Sequence, residues 1–147
     1  VTPATVQQQI VALYPAIKAE WTALLKGEPT LTPLGRPDTL VYLMDATLAQ
    51  LTAGLQHLST QQWLGRCEPL VGPVHTYCAC GLNPLLKYFT TGELALRAAA
   101  GPVLGREIEP VLERFQALAH REIETLCSVC QHKDSPECRE IRHRSAR

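Results

Sequence analysis

Apolar side chains recur every three or four residues through four long stretches of this chain. No stretch alternates apolar and polar residues with the period of a strand, so the pattern restricts the fold class to all-α. Four amphipathic helices of this length predict an antiparallel four-helix bundle. A long cysteine-bearing loop and a short C-terminal helix complete the expected architecture.

The first helix is expected over residues 3–26. Thr2 supplies a cap and Pro3 fits the first turn. Val6, Ile10, Leu13, Ile17 and Leu24 form its apolar stripe, flanked by Trp21 and Leu25. Pro15 should bend it and Gly27 end it. A loop with Pro29, Pro33 and Gly35 follows. The second helix starts near Pro37 and Asp38 and carries Leu40, Met44, Thr47, Leu51, Leu55 and Leu58 at the same period. Ser59 or Thr60 then caps a short turn.

The helical pattern fails over 65–81, where Pro69, Gly72 and Pro73 break it. Asn83-Pro84 opens a third helix whose buried side holds Leu85, Leu86, Phe89 and Leu96. Gly92 is expected to interrupt it and Gly101-Pro102 to stop it. The fourth helix is expected over 103–130, with Leu104, Ile108, Val111, Phe115, Leu118 and Leu126 as the stripe and Leu112 and Ile123 widening it. Pro110 is an early kink or the true first turn. Ser135-Pro136-Glu137 looks like the cap of a short terminal helix.

The chain has 147 residues, which suits a single helical domain over 1–147, with 131–147 readable as an appended basic helix. That is long enough to bury a core without disulfides. Apolar residues make up 46% and charged residues 19%, and neither value suggests disorder. The 14 basic and 14 acidic side chains cancel, so no whole-surface attraction to nucleic acid or anionic membrane is implied. No apolar run approaches the ~20 residues that span a bilayer. The first ten residues lack the basic start and apolar core of a signal peptide, and a cytoplasmic location is expected.

Six cysteines are an excess for such a protein. Cys78 and Cys80 lie just before the third helix, and Cys127 and Cys130 at the end of the fourth. In an up-and-down bundle those two places share one end. A Cys-x-Cys pair and a Cys-x-x-Cys pair, far apart in sequence, are therefore expected to meet. Four thiolates favour tetrahedral zinc, in a closed site with no open position for a substrate water. An iron–sulfur cluster is the other four-thiolate option. Cys67, His75, His132, Cys138 and His143 are reserve ligands, and a purely local site of Cys127, Cys130, His132 and Cys138 is an alternative. Disulfides, including a redox pair, compete with metal, as do unliganded thiols acting as small buried apolar groups.

Other chemistry is thinner. His120 and Glu124, four residues apart on one helix, read as a solvated pair rather than an acid–base couple. His57 is placed near helix-end carbonyls, which suit a cation. Glu109, Glu113 and Glu124 have no partner in the Glu-x-x-His pattern of di-iron bundles. No Walker loop, Gly-x-Ser-x-Gly or His-Glu-x-x-His occurs. The tail carries Arg139, Arg142, His143, Arg144 and Arg147, diluted by Asp134, Glu137 and Glu140. A solvated terminal helix fits it better than a nucleic-acid contact. Aromatic content of 5% leaves little material for a cofactor pocket.

The stretches IKAEWTALL, TPLGRPDTLVYLMDATLAQL and LLKYFTTGELAL give an early helix with a tryptophan near its end, a proline-bearing loop, and an apolar helix leading to Leu-Leu-x-x-Phe. This pattern resembles the N-terminal helical sensor domains of RsbR-type stress regulators and related bacterial kinases, over about the first hundred residues and the fourth helix. The resemblance implies a small, often dimeric bundle that receives signals and performs no catalysis. It supplies no ligand residues, and the cysteine loops are outside its pattern. The expectation is a zinc-binding regulatory or sensory module with a protein partner or a second copy. A redox-active iron–sulfur or dithiol protein is the runner-up, and a helical-bundle enzyme with an interhelical pocket is third.

Overall fold

The computed structural model describes residues 2–28, 36–56 and 84–128. Every element among them is helical and none is a strand. Helix α1 (Pro3–Ala12) and α2 (Tyr14–Lys26) form the first arm. A single turn α3 (Pro37–Leu40), a 3-10 turn (Val41–Leu43) and α4 (Met44–Gln56) form the second. Helix α5 (Pro84–Leu104) and helix α6 (Ile108–Ser128) are the third and fourth, joined by a 3-10 turn at Gly105–Glu107.

The N-terminal signals act as the sequence predicts. Thr2 is extended, and its hydroxyl accepts the Thr5 backbone N–H at 3.3 Å. The break in the first arm falls at Leu13, two residues before Pro15. Leu13 N–H bonds back to Gln9 and Ile10 carbonyls and closes α1. Pro15 then occupies the first turn of α2, where its missing N–H costs nothing.

Helix α5 departs from expectation. Neither Gly92 nor Gly101-Pro102 ends it, and it continues to Leu104. The turn is made three residues after Pro102, at Gly105, whose φ of 57° is the left-handed conformation that favours glycine. Val103 and Leu104 accordingly close α5 rather than open the fourth helix. Pro110 is the third residue of α6, in its first turn.

Two ladders of contacts give the directions. Tyr14 reaches Leu48 and Thr52, Lys18 pairs with Asp45 at 2.8 Å, and the Thr22 hydroxyl points at the Met44 sulfur. Rising numbers on α2 meet falling numbers on α4, so these helices run in opposite directions. In the same way Glu93 accepts from Gln116 at 2.7 Å and Arg97 pairs with Glu109 at 3.2 Å, so α5 and α6 are opposed. Contacts also join α2 to α5, α1 to α4 and α4 to α6.

The buried residues form one apolar cluster drawn from every arm. Val6, Ile10, Ile17, Trp21 and Leu25 line the first, and Leu40, Met44, Leu48, Leu51 and Leu55 the second. Leu13, Leu24, Leu85 and Leu86 are only partly buried against it. Its centre is aromatic. The Trp21 ring lies 4.6 Å from that of Tyr88 and 5.8 Å, edge-on, from that of Phe115, while Phe89 meets Tyr88 and Phe115 edge-on at 4.9 and 5.6 Å. Such offset and edge contacts add about 0.5–1.5 kcal/mol each to area burial. Among the described residues no helix is long and apolar enough to cross a membrane.

Candidate functional site

Buried polar groups are the first place to seek chemistry, since each must be satisfied or serve a purpose. Thr47 sits one turn after Leu43 and donates to its carbonyl at 2.9 Å. A hydroxyl carries a single hydrogen, so the 2.8 Å contact between Thr47 and the Tyr88 hydroxyl is a bond donated by Tyr88. The chain Tyr88–Thr47–Leu43 carbonyl thus closes with every hydrogen used. Burial pushes the Tyr88 phenol far above its usual range; the Thr47 hydrogen bond opposes the shift and the negative Asp45 adds to it. Tyr88 is therefore held protonated at neutral pH, as the donor to Thr47.

Below this pair, the Tyr14 hydroxyl lies 3.0 Å from the Leu48 carbonyl and 2.9 Å from the Thr52 hydroxyl. Above it, Trp21 Nε1–H donates to the Tyr88 carbonyl at 2.9 Å. These bonds tie the first arm to α4 and α5 and orient the core. They are structural bonds across packed helices.

His120 is 5% exposed, which overturns its reading as a solvated partner of Glu124. Glu124 is exposed. The cause is the width of the α6 interface: His120 lies three residues before the fully buried Ile123, on the edge of the buried arc, whereas Glu124 lies beyond it. Glu109 is held by Arg97 at the α5–α6 surface.

The expected cysteine centre lies almost entirely outside the described residues. Cys127 belongs to the last turn of α6. Cys78, Cys80 and Cys130 lie outside the described residues, as do Cys67, His75, His132, Cys138, His143 and His57. Among the described residues no group of three or more His, Cys, Asp or Glu side chains is placed to hold a metal. The backbone does bear on the expected meeting point. Because α5 and α6 are opposed, the start of α5 at Pro84 and the end of α6 at Ser128 share one end of the pair.

Comparison with protein-family models, curated proteins and solved structures gives no significant match. Sequence periodicity had passed over Tyr88, Thr52, Thr91 and His120 as buried groups. For Thr52 a signal existed: it follows Leu48 by four residues and precedes Leu55 by three, which puts it on the core stripe.

Proposed function

We propose that this chain is a zinc-binding helical module with a regulatory or sensory role, the metal being held by Cys78, Cys80, Cys127 and Cys130. One observation carries this reading: the opposed course of α5 and α6, which brings Pro84 to the end of the pair where Cys127 lies. Cys80 precedes Pro84 by four residues, and four residues of chain span up to ~14 Å. Packed helices stand about 8–10 Å apart, so Cys80 and Cys78 are within chain reach of the end of α6.

Four thiolates would close a tetrahedral site without a position for substrate water. The metal then acts by fastening the cysteine loop over 65–81 to an antiparallel four-helix bundle, and a labile site would report redox state by losing its metal on thiol oxidation. The resemblance to RsbR-type sensor domains supports signal reception over catalysis, with a protein partner or second copy as the receiver and the cytoplasm as the compartment.

The test is Cys127→Ser combined with Cys130→Ser. Metal content and melting temperature should fall together. Unchanged zinc content in the double variant would contradict the site. Visible absorbance in the unaltered protein would instead assign the same thiolates to an iron–sulfur cluster, and thiols that appear only on reduction, without metal, would assign them to disulfides.

A further inference from the structure

We draw no further inference here: the strongest candidate, the exposed apolar face of α5 formed by Leu94, Ala98 and Pro102, has nothing in the structure to show what covers it.

Discussion

Gly92 lies so close to Trp21 that a Cβ on it would stand 2.6 Å from Cζ2 of the indole and 2.8 Å from Cζ of Phe115. The same indole donates its N–H to the carbonyl of Tyr88, one turn before Gly92. The missing side chain thus lets the α5 backbone approach the ring closely enough for that hydrogen bond to form. What looks in the sequence like a helix breaker is a point of close packing between the first arm and α5.

Gly92→Ala should destabilise the protein. Alanine normally stabilises a helix interior by about 1 kcal/mol relative to glycine. Here the new methyl meets two rigid rings, and overpacking costs about 1–3 kcal/mol, so the net change is a loss of up to about 2 kcal/mol. Gly54→Ala in α4 is the control, since no described atom lies within 4 Å of its Cβ position. It should gain about 0.5–1 kcal/mol. Urea unfolding midpoints of the two variants should move in opposite directions; the same shift in both would contradict the close contact.

Tyr88→Phe and Thr47→Val should be coupled. Each variant breaks the 2.8 Å bond between them, and a buried hydrogen bond of this kind contributes about 0.5–1.5 kcal/mol. A double-mutant cycle by denaturant unfolding should return a coupling energy of that size. Strict additivity would mean that the two hydroxyls do not share a bond.

Tyr88 should also make stability fall in alkali. Its phenol titrates higher in the folded state than in the unfolded one. Above the unfolded value of about 10, the unfolded chain therefore binds fewer protons than the native one, and unfolding is favoured as pH rises. Below that pH the contribution is fully present. Tyr88→Phe removes this dependence, so the slope of stability against pH above about 10 should be shallower in the variant. Equal slopes would show that Tyr88 ionises without penalty.

Chelation is expected to remove the proposed zinc and so lower stability without altering the aromatic core. A ligand that binds only the native state stabilises it by about 2.7 kcal/mol at a hundred times its dissociation constant. Chelation under reducing conditions should lower the melting temperature while leaving Trp21 buried, as read by its fluorescence maximum in a variant whose second tryptophan is replaced, Trp63→Phe. A melting temperature indifferent to chelation would remove the structural role assigned to zinc.

Large apolar residues made the helices and much of the core legible. Val6, Ile10 and Ile17 of the expected stripe are fully buried, as are the flanking Trp21 and Leu25, whereas the stripe residues Leu13 and Leu24 are only partly buried. Small residues made the rest hard to read. α5 packs on both α2 and α6, and part of its buried face is made of the small residues Thr91, Gly92 and Ala95. Hydrophobic periodicity does not register that face, because close helix approach selects for small volume rather than apolarity. Gly101-Pro102 misled for a related reason: a proline near a helix C-terminus removes one backbone bond but does not force a turn, whereas the left-handed conformation at Gly105 does. His120 was misread because a polar residue at the margin of an apolar stripe is assigned to solvent unless the width of the neighbouring interface is known. The candidate metal centre is a reading of residue types and spacing, to which the structure adds only the shared end of α5 and α6.

The most direct test of the cysteine site is elemental analysis of gently purified protein produced with both zinc and iron available. About one zinc per chain is expected, as a closed four-thiolate site requires. Metal-free protein whose cysteines all react as free thiols would contradict it.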